Sequence, residues 1–108
     1  MTRLRRSRPY ESPGLRRRGR GRGFSFVDDA GRAVSRADRE RIESLVLPPA
    51  WGDVWISAWP NAHIQAVGVD AAGRRQYVYH PDWRAAHDRE KLDRMLDLAA
   101  ALPAARAR

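Results

Sequence analysis

The chain has 108 residues, a length that indicates one small domain. It contains no cysteine, which excludes disulfide bonds, thiolate zinc sites and a cysteine nucleophile. The formal net charge of +8 comes entirely from residues 1–22, which hold nine arginines and one acid, whereas residues 23–108 hold twelve basic and twelve acidic residues.

Residues 1–22 are predicted to form a disordered basic arm. They are rich in arginine, glycine, serine and proline, and they have few apolar side chains to offset the entropy lost on ordering. Pro13-Gly14 interrupts regular structure, and residues 19–23 are an arginine-glycine run. Two interpretations remain open: a solvated tail without a partner, and an electrostatic arm for nucleic acid.

Residues 23–108 are predicted to form the folded domain. Phe24–Val27 has the character of a short strand, and Arg32–Val34 can pair back on it through an Asp-Asp-Ala-Gly turn. Ser35 then has the position of a helix N-cap, with Asp38 at the spacing of a capping box.

The first helix is predicted to run to about Leu45 and to end before Pro48-Pro49. Its apolar face consists of Ile42, Leu45 and Val46. Alternation of apolar and polar residues then predicts three strands, at 53–59, 63–69 and 75–80, and the short links between them predict antiparallel neighbours.

A second helix is predicted from Asp82 to about Leu102. Its apolar positions follow the helical period at Leu92, Met95, Leu96 and Ala99. The resulting order is ββαβββα, an α+β domain with an antiparallel sheet of about five strands and two helices, preceded by the basic arm.

The sequence favours neither catalysis nor a cofactor. The three histidines, His63, His80 and His87, do not make a metal-ligand pair at helical spacing, and no serine lies in a nucleophile-elbow context. The acids of the second helix alternate with basic residues, which is typical of a solvated helix face. We therefore predict no catalytic residues, no metal site and no cofactor.

The last predicted strand carries the most informative pattern. Alternation places Arg75, Tyr77 and Tyr79 on one face and Gln76, Val78 and His80 on the other. Arginine and tyrosine can bind phosphates, and glutamine can pair with adenine, so this strand suits a nucleic-acid surface. An equally open interpretation is that both tyrosines pack against Trp55 or Trp59 as core.

A resemblance to a known family favours the nucleic-acid interpretation of this strand over the core interpretation. Residues 21–103 resemble the N-terminal domain of DNA topoisomerase IB of the bacterial and poxvirus type. The resemblance is carried by Gly21–Phe24, Arg41-Ile42, Leu47–Trp51, Val54–Ile56, Pro60–Ala66, Gly68, Asp70, Gly73–Tyr77 and Tyr79–Trp83.

The resemblance implies an antiparallel sheet with two helices that forms half of a clamp around duplex DNA. It implies DNA contacts for Gln76, Tyr77 and Tyr79 on a strand toward the major groove, and positions near the backbone for Arg74 and Arg75. The full set of candidate DNA-binding residues is Arg22, Gln65, Arg74, Arg75, Gln76, Tyr77 and Tyr79.

The family relaxes supercoiled DNA without ATP, through a tyrosine nucleophile in a larger second domain. The resemblance includes no counterpart of that domain, so we expect the chain alone to be inactive as an enzyme. Two alternatives stay open: a non-catalytic subunit that acts with a separately encoded catalytic domain, and an RNA-binding or protein-interaction domain that reuses the sheet. With neither a membrane-length apolar stretch nor a secretory signal, we expect a bacterial cytoplasmic protein associated with the nucleoid and no membrane partner.

Overall fold

The computed structural model describes residues 3–106, with side chains as far as Leu98. Five strands and two helices follow the order ββαβββα, so the predicted α+β class is confirmed. Their bounds are β1 Gly14–Arg20, β2 Gly23–Val27, α1 Arg36–Ser44, β3 Gly52–Ser57, β4 Ile64–Val69, β5 Arg75–Tyr79 and α2 Pro81–Arg106.

The five strands form one antiparallel sheet in the order β2-β1-β3-β4-β5. One row of paired residues crosses four of the strands, in the order Arg16, Trp55, Val67 and Tyr77. Paired residues on neighbouring strands point to the same side, so these four side chains share one face of the sheet.

The predicted disordered arm is wrong for the part of it that the structure describes. Strand β1 lies within the sheet between β2 and β3, and Leu15 is only 5 % exposed. The error arose because β1 consists mostly of arginine and glycine, so the alternation in which Leu15 and Arg17 face inward was not recognised as a strand. The predicted domain boundary after Arg22 therefore falls inside the β1–β2 hairpin, whose turn has Gly21 at φ 57°, a conformation that glycine adopts readily.

The predicted pairing of Phe24–Val27 with Arg32–Val34 is confirmed only as a short antiparallel contact. The first of these segments is a strand, β2, whose full ladder is with β1. The second joins it through a bridge between Val27 and Ala33, beside which the Val34 N–H donates to Phe26 O at 3.2 Å.

Residues 3–13, the N-terminal segment, are bound along the sheet. The Arg5 N–H donates to Asn61 O at 2.8 Å, and Arg5 O accepts from the His63 N–H at 2.9 Å. The Ser7 N–H donates to His63 Nδ1 at 3.0 Å, and the Arg5 guanidinium lies 3.4 Å from the centre of the Trp59 ring. Backbone pairing and cation–π contact thus order a segment that has few apolar side chains.

Helix α1 covers one face of the sheet, here called the helix face. Ser35 caps it as predicted, since its side chain accepts from the Asp38 N–H at 3.1 Å. Ile42 is 2 % exposed and packs in a core with Leu15, Val54, Ile56 and Ala66. Val46 is not on the apolar face as predicted: it lies beyond the helix end and is 81 % exposed.

Helix α2 begins beside β5 and extends away from the sheet. Its predicted apolar positions Leu92, Met95 and Leu96 are exposed within the described chain, and the side chain of Ala99 lies outside the described residues. Neither described helix combines the length and apolarity that a transmembrane span requires.

Candidate nucleic-acid interface

The second face of the sheet, here called the open face, carries the two tyrosines of β5. Tyr77 is 43 % exposed and Tyr79 is 42 % exposed, and their rings stack with centroids 6.4 Å apart. Val78, between them, packs against the core on the helix face. The alternation predicted for this strand is therefore confirmed, and neither tyrosine is a core residue.

The centre of the open face is apolar and covered. Trp55 is 2 % exposed and Val67 is fully buried. Tyr10 of the N-terminal segment lies beside the indole, with ring centroids 6.3 Å apart, and its hydroxyl donates to Asp53 O at 2.6 Å. Burial raises the pKa of Tyr10, with a further contribution from the Asp53 carboxylate. Tyr10 therefore remains a neutral hydrogen-bond donor.

Tyr10 also connects two arginines from distant strands. The guanidinium of Arg16 on β1 lies 5.1 Å from the centre of the Tyr10 ring, and that of Arg75 on β5 lies 5.0 Å from it. Both distances are within the range of cation–π attraction. Arg75 is thus held on the open face beside Tyr77, where the sequence places it.

Gln76 lies on the other face of β5, as predicted, and its amide nitrogen donates a hydrogen bond there. Its Nε2 donates to Asp70 Oδ2 at 2.9 Å, and Arg74 Nε donates to the same oxygen at 3.2 Å. The Gln76 hydrogen bond is the largest cause that lowers the pKa of Asp70. The structure therefore joins Arg74 and Gln76 through Asp70 in the β4–β5 turn and separates both from the tyrosine pair.

Gln65 does not face a ligand, so its assignment as a DNA contact is not supported. It is 2 % exposed, and its Oε1 accepts from Arg41 Nη1 at 2.9 Å. Its Nε2 donates to Ala62 O at 2.8 Å and to Pro60 O at 3.1 Å. Burial and these bonds make Gln65 a brace for the β3–β4 connection.

Arg22 lies exposed in the β1–β2 turn, at the opposite side of the sheet from Arg74. The sequence analysis considered the arginines of β1 only as part of an electrostatic arm, not as residues of a sheet face. Arg16 is half-buried, and Arg18 and Arg20 are exposed on the open face. Their spacing of two residues is a strand signal, which the assumption of disorder concealed.

A cleft of about 610 Å³ lies beside Tyr79, between β5 and α2. Both histidine rings in it contact Trp83: His63 meets the indole edge-on with ring centroids 4.9 Å apart, and His87 lies tilted against it with centroids 4.4 Å apart. Burial is the main cause that lowers the pKa of His63, whose ring accepts from Ser7. Within residues 3–106, no three acidic or histidine side chains form a group suited to a metal ion.

Two comparisons with known proteins point to one family. Residues 23–70 match the family model of the N-terminal domain of bacterial DNA topoisomerase IB. Over 78 residues the chain is 38 % identical to the DNA topoisomerase 1B of Acanthamoeba polyphaga mimivirus, an alignment that covers 72 % of this chain and 23 % of that protein. No solved structure matches the chain.

Proposed function

The chain carries the N-terminal domain of the DNA topoisomerase IB family, and from this premise we propose that it binds duplex DNA with the open face of its sheet. The observation that supports this role is the exposure of Tyr77 and Tyr79 beside Arg75 on one strand. Large aromatic side chains are normally buried, and an exposed pair next to a cation suits a phosphate-rich ligand.

The proposed contacts follow from the chemistry of the side chains. Tyrosine hydroxyls donate to phosphate oxygens, and Arg75 supplies a fork of donors with a fixed charge. Gln76 lies on the face of β5 opposite Tyr77, and its Nε2 is bonded to Asp70, so it contributes only if its side chain reorients. We therefore assign base reading by Gln76 to a DNA-bound state in which the β4–β5 turn has rearranged.

Strand cleavage is not part of this proposal. Tyr77 and Tyr79 lie in the DNA-contact motif, and among the described residues no base or acid is hydrogen-bonded to either hydroxyl. We propose that the chain holds DNA, in a bacterial cytoplasm and near the nucleoid, without itself cleaving a strand. The chain alone is expected not to relax supercoiled plasmid. A covalent protein–DNA adduct lost in Tyr77→Phe or Tyr79→Phe would contradict this.

The test of the proposal is fluorescence anisotropy with a labelled short duplex, the corresponding single strand and an RNA hairpin. We expect the duplex to bind most tightly, and the double substitution of Tyr77 and Tyr79 by alanine to weaken it. Leu92→Ala, an exposed change on α2, is the control and should bind as the unmodified chain does. Equal affinity for duplex and RNA hairpin would instead favour the RNA-binding alternative.

A further inference from the structure

We propose that strand β1 supplies a second row of DNA contacts, in which Arg16, Arg18 and Arg20 bind the sugar-phosphate backbone beside the groove that β5 faces. This inference rests on the proposed function and adds to it a defined set of residues. The row lies on the side of the sheet that carries Tyr77, because Arg16, Trp55 and Tyr77 belong to the same cross-strand row.

The backbone register fixes the direction of the three side chains. Successive residues of a strand point to opposite faces, so Arg16, Arg18 and Arg20 share the open face. Arg17 confirms the alternation, since its guanidinium is on the helix face and donates to Pro48 O at 3.0 Å and Trp51 O at 2.7 Å. Strand alternation thus gives the arginines of β1 two roles: Arg17 bonds to backbone carbonyls on the helix face, and the other three point to the open face.

The positive charges of this arginine row are available to bind a ligand. Within the described chain, Arg18 and Arg20 have neither an ion pair nor a side-chain hydrogen bond. Arg16 lies 3.4 Å from Asp53, but that carboxylate is 69 % exposed and the pair is screened by water. Phosphate can therefore replace Asp53 at low cost.

The spacing of the row suits a duplex. Strands β1 and β5 are separated by three strand intervals, roughly 14 Å, which is close to the major-groove width of about 12 Å. A duplex whose groove faces β5 therefore places a backbone near β1. Alternate residues on a strand are about 6.8 Å apart, so the three guanidinium groups can reach separate phosphates.

Tyr10 makes the two rows one preorganised surface. Its ring lies between Arg16 and Arg75, at 5.1 and 5.0 Å from their guanidinium groups. Its own backbone has φ 65°, an unfavourable conformation for tyrosine that the surrounding contacts maintain. Arginines held in place lose less side-chain entropy on binding than free ones.

The test is the dependence of duplex affinity on salt. Each phosphate neutralised contributes about −0.9 to the slope of log K against log salt, so the triple change of Arg16, Arg18 and Arg20 to glutamine should reduce the slope by about 2.7 units. The matched control changes Arg32, Arg36 and Arg39 to glutamine, which removes the same charge from the α1 side. Circular dichroism and thermal melting verify that both variants fold.

The outcomes separate this inference from the proposed function. If the unmodified chain does not bind duplex, the proposed function fails. If it binds and the Tyr77 and Tyr79 changes weaken it, while the β1 triple variant keeps the full slope, the proposed function stands and the β1 row is refuted. An equal loss of slope in the control variant would also overturn the inference, since it would show that only total charge matters.

Discussion

The indole of Trp55 lies directly against the backbone of Gly14 on the neighbouring strand. A Cβ atom added at Gly14 would lie 1.9 Å from Trp55 Nε1, far inside van der Waals contact. This contact seats the buried tryptophan on β1 and explains how Trp55 can be only 2 % exposed on a face without a covering helix. The segment of highest positive charge is therefore also part of the structural centre of the domain.

Gly14→Ala is expected to destabilise the fold. The added methyl group forces the Trp55 ring to move, and overpacking of this kind typically costs about 1–3 kcal/mol. Gly19→Ala on the same strand is the matched control, because a Cβ there meets no atom within 4 Å. Urea denaturation of both variants measures the difference. Equal stability of the two would show that the indole has room to shift.

Tyr77 and Trp55 should respond differently to truncation, although they share one cross-strand row. Trp55→Ala removes a buried aromatic and is expected to cost about 3–5 kcal/mol. Tyr77 is 43 % exposed, so Tyr77→Ala should cost about 1 kcal/mol or less and should mainly weaken DNA binding. Thermal melting together with duplex titration separates the two effects. A Tyr77→Ala variant that unfolds would show that Tyr77 is a core residue.

Arg17 and Arg18 are adjacent in sequence and should have separate roles. Arg17 donates to the carbonyls of Pro48 and Trp51 and holds the loop before β3, and partial burial lowers its pKa. Arg17→Gln is therefore expected to lose about 1.5–3 kcal/mol of stability. Arg18→Gln should leave stability unchanged and reduce the salt slope of duplex binding by about 0.9. The reverse pattern would contradict the assignment of faces.

The sequence predicted those elements that have strong local signals. Ser35 with Asp38 located the start of α1, and alternation located β3, β4 and β5 to within two residues of their observed bounds. The faces of β5 were likewise predictable, because Tyr77 and Val78 obey strict alternation.

Strand β1 could not be predicted because its stability is not local. Leu15 has few apolar neighbours in its own segment. It is buried by packing against Ile56 and Ile42, which are distant from it in sequence. Gln65 was misjudged for a related reason, since nothing nearby in sequence shows that Arg41 will bond to it. In both cases long-range contacts decide the role of a polar stretch.

Stability should depend on pH through His63. Burial keeps its pKa below the ordinary value of about 6.5, and its Nδ1 must stay unprotonated to accept from the Ser7 N–H at 3.0 Å. The unfolded chain binds a proton near pH 6.5, while the folded chain resists it. The contribution of His63 is therefore fully present above about pH 6.5 and is lost as pH falls toward its lower folded pKa.

We expect the melting temperature to fall between pH 7.5 and pH 5.5, and His63→Asn to reduce that fall. The asparagine side chain places an acceptor near the position of Nδ1 and does not titrate, so it also tests whether the Ser7 contact survives without an imidazole. His87→Gln serves as the control, because His87 stacks on the same Trp83 ring at 4.4 Å but lies exposed on α2. It should keep the full pH dependence.

If His63→Asn retains the pH dependence and His87→Gln abolishes it, the exposed histidine governs the transition. The docking of the N-terminal segment would then not depend on the protonation state of His63.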